Sequence, residues 1–308
     1  MRAKKPGARA GAKKKNLAPP PGCPMHVAPS KGDPRLFTKT DLTYNGYLKV
    51  GDLLALQAPQ SKPAHHDEML FIIIHQAYEL WFKLILHEAE SALLYMEKRQ
   101  VLRAHHFVNR IVQIMKLLVQ QIHILETMTP VEFLAFRDQL MPASGFQSSQ
   151  FRELEFVAGL KDPKYLTYFR DHPEAGRSLK TRLEGPDLRS HYYEMIRALG
   201  YKIPKNASEG ERQGKASVMN ATLKGLLPIY QNPEKDLPLY LLSESLVEFD
   251  EHLALWREHH VRVVERVIGF KQGTGGSSGV GYLRSTTSKK CFPCLWEVRT
   301  HLVKTSDA

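Results

Sequence analysis

The chain has 308 residues, 43% of them hydrophobic and 24% charged, with a net charge of +11 and three cysteines. That length suits one large domain or two ordinary ones with a sizeable core. The longest unbroken apolar run, Met69 to Ile74, argues against a membrane-spanning helix. Three cysteines, an odd and sparse set, argue against a disulfide framework and fit a reducing cytoplasm.

The basic excess is unevenly placed. Arg2, Lys4, Lys5, Arg9, Lys13, Lys14 and Lys15 fall in the first 22 residues without one acid, and +11 less those seven leaves +4 for the rest. Residues 1–40, rich in proline from Pro19 on, read as a disordered basic arm and loop. Nucleic acid is therefore a disfavoured partner, because the folded part is only mildly basic and carries no recognition motif. The arm has no apolar stretch of the kind a secretory signal needs.

The folded region begins with Leu42-Thr43-Tyr44-Asn45-Gly46-Tyr47-Leu48, a short turn-bearing segment with two tyrosines. Leu53, Leu54 and Leu56 follow on one or two helical turns. From Asp67 to about Lys98, apolar residues recur three and four apart, which predicts a long helix. A second runs from about Leu102 to Met128; the short connection predicts that the two pack antiparallel. Thr129 and Pro130 then start a third, with threonine as cap, proline at the first helical position and Glu132 in the first turn. It carries Phe133, Phe136, Arg137 and Leu140 and stops at Met141-Pro142. A fourth helix begins at Ser149 and reaches about Leu160.

Prolines at 163, 173, 186, 204 and 228 cut residues 162–232 into short helices, which suggests a small helical subdomain. Leu237 to Gly269 is the last long helix, about 50 Å at ~1.5 Å per residue, with Gly269 as its cap. Residues 285–308 read as a polar C-terminal tail. No alternating strand pattern occurs, so residues 41–284 are predicted to form one large, bundle-like all-α domain.

Two histidines stand on apolar helical faces. Phe71, His75 and Glu79 are four apart and share one side of the first long helix. In the last long helix, Trp256 precedes His260 by four, but His259 neighbours Leu255 and Val263, so periodicity alone does not choose between His259 and His260. Ordinary core histidines are the commoner explanation of such positions. Two long helices that each present an imidazole also suit a flat cofactor held between them. Arg137, one turn after Phe133, has the fork geometry that grips a carboxylate, but an arginine at a helix C-terminus more often faces the helix dipole and solvent. Gly273-Thr274-Gly275-Gly276-Ser277-Ser278-Gly279 follows a helix and lacks the Gly-Lys-Ser/Thr ending of a phosphate loop, so it reads as a mobile loop in which Thr274 offers a hydroxyl. Cys291 and Cys294 have CxxC spacing but no second pair and no βαβ setting, which disfavours a metal or redox role.

Five stretches together resemble the tryptophan 2,3-dioxygenases, tetrameric haem enzymes. They are Leu42 to Leu48; Phe71-Ile72-Ile73-Ile74-His75-Gln76-Ala77-Tyr78-Glu79-Leu80-Trp81-Phe82-Lys83; Arg137-Asp138-Gln139-Leu140-Met141-Pro142-Ala143-Ser144-Gly145-Phe146-Gln147-Ser148; Trp256-Arg257 with His260; and the glycine loop from Gly273 to Gly279. They occur in order from residue 42 to about 284.

The resemblance implies an all-α fold whose long helices enclose one haem b per subunit, ferrous when active. It implies that both atoms of O2 enter the indole C2–C3 bond of L-tryptophan, giving N-formyl-L-kynurenine, the first step of the kynurenine pathway. His260 would be the proximal iron ligand and His75 the distal histidine that accepts the indole N–H. Phe71, Phe133 and Leu140 would contact the substrate, Arg137 its carboxylate, and Thr274 its ammonium or carboxylate. Ser144 and Gly145 would line the distal side. Tyr44, Tyr47 and Leu48 would reach into a neighbouring subunit of a cytoplasmic homotetramer. Phe133 stands where some bacterial members have tyrosine. A non-catalytic helical haem sensor is the alternative reading.

Overall fold

The computed structural model describes residues 42–275 and 278–303; the basic arm, Gly276 and Ser277 lie outside them. Helices are the only regular elements among the described residues. The chain divides after Leu56 into two compact units.

The first unit holds α1 (Tyr44–Leu48) and α2 (Val50–Leu54). The Thr43 hydroxyl caps α1 by accepting the Gly46 N–H at 3.0 Å, and Lys49, with φ 52°, turns the chain from one helix into the next. Five-residue helices have too few hydrogen bonds to persist on propensity alone. Neither buries a residue, and Tyr44 and Tyr47 are 76% and 70% exposed.

The second unit contains the long helices. α3 (His66–Glu97), α4 (Val101–Leu125), α5 (Pro130–Arg137) and α6 (Ser149–Val157) come first. α7 (Pro173–Glu184), α8 (Leu188–Ala198), α9 (Ala207–Arg212) and α10 (Ala216–Gln231) form the middle of the chain. α11 (Leu237–Ile268), α12 (Val280–Arg284) and α13 (Pro293–Glu297) complete it. The expected caps are present. Thr129 and Glu132 form a reciprocal capping box with Pro130 at the first helical position, and Gly269 ends α11 at φ 61°.

α4 lies between α3 and α11, because its apolar face is wide enough for both. Ile111, Val112, Met115, Leu118 and Ile122 are buried there. Each buried aliphatic side chain of this kind contributes about 1.5–3 kcal/mol. Directional bonds fix the register. Tyr78 donates its hydroxyl to the Leu118 carbonyl at 3.0 Å, Gln121 donates to the Ile74 carbonyl at 3.1 Å, and Arg110 grips Glu88 with two bonds of 2.9 Å.

Three features differ from the sequence reading. α3 is, by length and composition, apolar enough to cross a membrane, because its charged residues are spread thinly rather than absent. Here its Ile74, Tyr78, Phe82, Ile85 and Leu86 belong to the core, so it is a central helix of a globular unit. Residues 162–232 are not one separate subdomain: Leu188, Tyr192, Leu223 and Leu226 join the same core as α3 and α11, while Tyr165, Phe169 and Leu179 pack with Phe156 of α6 in a smaller cluster. The segment after residue 284 is not a free tail. Cys291, Phe292, Cys294, Leu295 and Val298 are all fully buried, held by Asp250 of α11, which accepts the backbone N–H groups of Cys291 and Phe292 and the Trp296 indole N–H at 2.8–3.1 Å.

Candidate active site

A cavity of about 270 Å³ opens inside the second unit between α3, α5, α6 and α11. Eight of the sequence-selected residues line it: Phe71, His75, Phe133, Arg137, Ser144, Gly145, His260 and Thr274. Leu140 does not; it packs against the core from the 3-10 turn after α5. The turn rotates it away from the face that α5 would have presented had the helix continued. Tyr44, Tyr47 and Leu48 belong to the first unit, where their side chains are exposed.

The apolar wall is aromatic. The Phe71 ring lies 4.1 Å from His75 and 5.7 Å from Phe133, centroid to centroid. Phe136, fully buried, backs both phenylalanines at 5.9 and 5.4 Å. Such contacts hold rings at fixed tilts, which gives a flat apolar ligand a preformed slot.

His75 sits one turn after Phe71, and its Nδ1 lies 2.7 Å from the Phe71 carbonyl oxygen. A carbonyl only accepts, so Nδ1 carries the proton and Nε2 is left as an acceptor. Burial pushes the His75 pKa down, against the pull of the Phe71 carbonyl and the Glu79 carboxylate. The ring is therefore neutral at pH 7.

Of the two histidines that periodicity left open, His260 faces the cavity. It lines the cavity, whereas the His259 ring lies 5.2 Å from His123 on the other side of α11. Burial, and then the charge of His75, push the His260 pKa down to about 4. It retains accessible area because the cavity opens beside it, not because it is near the surface. Its ring joins no hydrogen bond or ion pair among the described residues and lies 5.1 Å from the Trp256 ring. A neutral, unpartnered imidazole facing an apolar cavity is the donor a haem iron takes. The residues present thus fit that group.

Arg137 is 8% exposed. Its Nη2 donates to the Gln272 carbonyl at 2.5 Å, its Nη1 is 4.0 Å from the exposed Asp138 carboxylate, and its Nε is buried with no partner. A guanidinium with one buried N–H unsatisfied is prepared for an anion. The glycine loop closes over the same region: Thr274 donates its hydroxyl to the Ala143 carbonyl at 2.6 Å. Gly275 lies so close to Ser144 that a Cβ there would come within 2.7 Å of the Ser144 Cβ.

Sequence reasoning missed part of the lining. Tyr78, Phe82 and Phe151 surround Trp256, with Phe151 at 5.0 Å, and Arg152, Glu155 and Arg257 form a buried ion cluster. Arg152 and Glu155 are three apart on α6, a spacing that exposed helices also use for salt bridges, so it gave no warning of burial. Arg257 was legible only as part of the Trp256-Arg257 motif.

Fold and site together define an all-α protein with an aromatic-walled cavity between two histidine-bearing helices and a buried arginine in its lining. A family model described as tryptophan 2,3-dioxygenase matches residues 30–206 and 202–302. A tryptophan 2,3-dioxygenase of Xanthomonas euvesicatoria is 42% identical over 260 residues, covering 84% of this chain and 87% of its own. One from Xanthomonas campestris is 43% identical over the same span, and one from Herpetosiphon aurantiacus is 45% identical over 262 residues, 98% of its own length. The chain belongs to the tryptophan 2,3-dioxygenase family. The match to residue 302 takes in the Cys291 and Cys294 tract, which the sequence reading had left outside the resemblance.

Proposed function

We propose that this chain is a haem-dependent dioxygenase that adds both atoms of O2 across the indole C2–C3 bond of L-tryptophan to give N-formyl-L-kynurenine, the first step of the kynurenine pathway. One observation carries the reading beyond family membership. A single cavity gathers His75, Arg137, His260 and Thr274 from segments as much as 199 residues apart, with Nε2 of His75, Nε of Arg137 and the His260 imidazole open for those roles.

His260 would hold one haem b per subunit through its neutral imidazole. When bound and ferrous, that group supplies the O2 chemistry; the protein supplies binding, orientation and exclusion of water. His75 offers Nε2 to the indole N–H, since Nδ1 is committed to the Phe71 carbonyl. A neutral His75 orients the substrate by accepting this hydrogen bond, and a full proton abstraction is not required for that role. Phe71 and Phe133, in contact at 5.7 Å, form one wall against which the indole packs, and Phe133 does so without the hydroxyl that a tyrosine would add. Arg137 pairs with the carboxylate, and Thr274, held over the site by Ala143, presents the loop to the amino-acid end. Ser144 and Gly145 line the distal side.

The exposed Tyr44, Tyr47 and Leu48 support an assembly in which each first unit completes a neighbour's pocket in a cytoplasmic homotetramer. Leu140, partly buried against the core and outside the cavity lining, is the weakest member of the substrate set.

The test is the ultraviolet–visible spectrum of the purified protein after haem supplementation, with and without L-tryptophan. A Soret band that shifts with substrate, and N-formylkynurenine absorbance under reducing aerobic conditions, are expected. No Soret band sinks the haem reading. A Soret band with no product favours a haem sensor.

A further inference from the structure

Residues 57–65 connect the first unit to α3, and a buried carboxylate that the proposed reaction does not use holds them down. Glu68, in the first turn of α3, is 1% exposed. Its Oε1 accepts the Gln60 backbone N–H at 2.6 Å. Its Oε2 accepts the Ser61 backbone N–H at 3.0 Å and the Ser61 hydroxyl as well. The oxygen of Ser61, also a buried residue, accepts the His65 N–H at 2.8 Å. An acid in a first helical turn ordinarily faces the helix's own N–H groups and solvent. Glu68 instead commits both oxygens to a segment before the helix, in charge-assisted bonds about twice as strong as neutral ones.

This clamp shortens the tether of the first unit. Gln57 adds a second tie, donating its Nε2 to Gln76 Oε1 at 2.6 Å. Only Ala55 and Leu56 then lie between it and the end of α2 at Leu54. Two residues span about 7 Å, whereas the eleven residues 55–65, released back to α3, span up to about 36–40 Å. The first unit depends on that tether. α1 and α2 bury no residue, and Tyr44, Tyr47, Leu53, Leu54 and Leu56 are all exposed. Such short helices gain their order from what they pack against. How often they occupy a nearby surface is set by the effective concentration that the tether imposes, which falls as the tether lengthens.

The same segment also passes behind the substrate wall. The His65 ring lies 5.8 Å from Phe136, which backs Phe71 and Phe133. Two routes therefore lead from Glu68 to a pocket: through His65 and Phe136 within one subunit, or through the first unit to the next. The hydrogen bonds favour the second. Those that Glu68 accepts from the strap all come from Gln60 and Ser61, toward the first unit, while the His65 ring has its Nδ1 buried with no partner and is placed by packing alone.

We infer, on the reading that first units are exchanged between subunits, that Glu68 with Ser61 is a positioning residue for the neighbour's pocket. It touches no substrate. It fixes the strap 57–65, and so the place from which Tyr44, Tyr47 and Leu48 are delivered.

Full-length Glu68→Gln keeps the side chain's size but turns one accepting oxygen into a donor that faces other donors. Amide exchange at Gln60 and Ser61 should speed about tenfold or more while that of α4 and α11 stays at wild type, which separates an open clamp from misfolding. Its kcat/KM for L-tryptophan should fall about tenfold or more. The route is read from hybrids. Glu68→Gln and Arg137→Ala chains carrying different affinity tags are co-expressed, and mixed oligomers are isolated by both tags. In them a Glu68→Gln subunit keeps its own Arg137 and receives a first unit held by the intact Glu68 of its Arg137→Ala neighbour. Recovery of kcat/KM to within about fourfold of wild type is expected, because in a symmetric exchange one pocket of each mixed pair is whole. A control pairs Tyr47→Ala, whose loss of activity the exchange reading itself predicts, with Arg137→Ala. If the control hybrid recovers and the Glu68→Gln hybrid does not, Glu68 acts only within its own subunit and its assignment alone is overturned. Unmoved exchange at Gln60 and Ser61, or full kcat/KM in Glu68→Gln, overturns it as well. If Tyr47→Ala keeps full activity, or neither hybrid recovers, the exchange reading fails and the Glu68 assignment with it.

Discussion

Arg137→Ala should raise the KM for L-tryptophan by about 30- to 5,000-fold while haem stays bound. The guanidinium is buried, its Nε has no partner, and its single short bond goes to the Gln272 carbonyl, which is neutral. Among the described residues its one ion-pair contact is Asp138, which is exposed and 4.0 Å away. A bound substrate carboxylate would therefore be its one buried counter-ion. Truncating one partner of a buried charged pair costs about 2–5 kcal/mol, and each ~1.36 kcal/mol is tenfold, which gives the range above. Losing the Gln272 contact adds about 1 kcal/mol at most, and that loss is common to every substrate. The assay is thus the ratio of KM values for L-tryptophan and for tryptamine, which lacks the carboxylate, with product followed by absorbance. The variant should move L-tryptophan far more than tryptamine. If both KM values rise together, Arg137 acts only on the glycine loop and the carboxylate assignment is wrong.

Three further outcomes are expected. Asp250→Ala strands three buried N–H donors, so it should cost at least about 3 kcal/mol in urea melts and expose Cys291 and Cys294 to a thiol reagent in a Cys23→Ser background; protected thiols and an unchanged midpoint would contradict the anchoring role. Gly275→Ala drives a Cβ to 2.7 Å from Ser144, so the loop should seat poorly and KM should rise about fivefold or more, with little change in the thermal midpoint because the loop is exposed; an unchanged KM would show that the contact is dispensable. Burial raises the Glu211 carboxyl above its usual 4.5, against Arg189, Cys294 and Tyr193. The folded state then holds the proton more tightly than the unfolded one, so the stability this group adds is full below about pH 4.5 and is lost as pH rises through the folded value. Glu211→Gln does not titrate, so denaturant melts should find it gaining on wild type from pH 4 to 7, and a growing wild-type advantage would reverse the sign of the argument.

Much of the fold was legible because the long helices state their own burial. In α4, apolar residues at three- and four-residue spacing define both of its packing faces, and Thr129, Pro130 and Gly269 mark helix ends by local chemistry alone. Residues 285–303 were illegible for the opposite reason. Their apolar stretch from Cys291 to Val298 is short and follows a polar one, and what buries it is remote: Asp250 is 41 residues before Cys291, and Glu211, which accepts the Cys294 N–H, is 83 residues before it. No local pattern encodes a partner at that distance. The short helices of 162–232 misled in a related way, since proline breaks show where a helix stops but not whose core it joins.

The candidate site divides along the same line. Phe71 and His75 could be picked out because each lies on an apolar face where its neighbours predict what surrounds it, whereas only the family resemblance set His260 apart from His259. Arg152, Glu155 and Arg257 could not, since a charged residue on a helix ordinarily marks the solvent side. Their burial follows only from assembly: α6 brings Arg152 and Glu155, α11 brings Arg257, and 102 residues separate the Glu155–Arg257 pair. Each charge alone reads as surface, and together they are a desolvated cluster whose imbalance is visible only once all three are placed. A periodicity argument therefore recovers the walls of such a cavity before its electrostatics, and the unpaired donors of Arg137 and Arg152 are where the sequence is least informative and the chemistry most constrained.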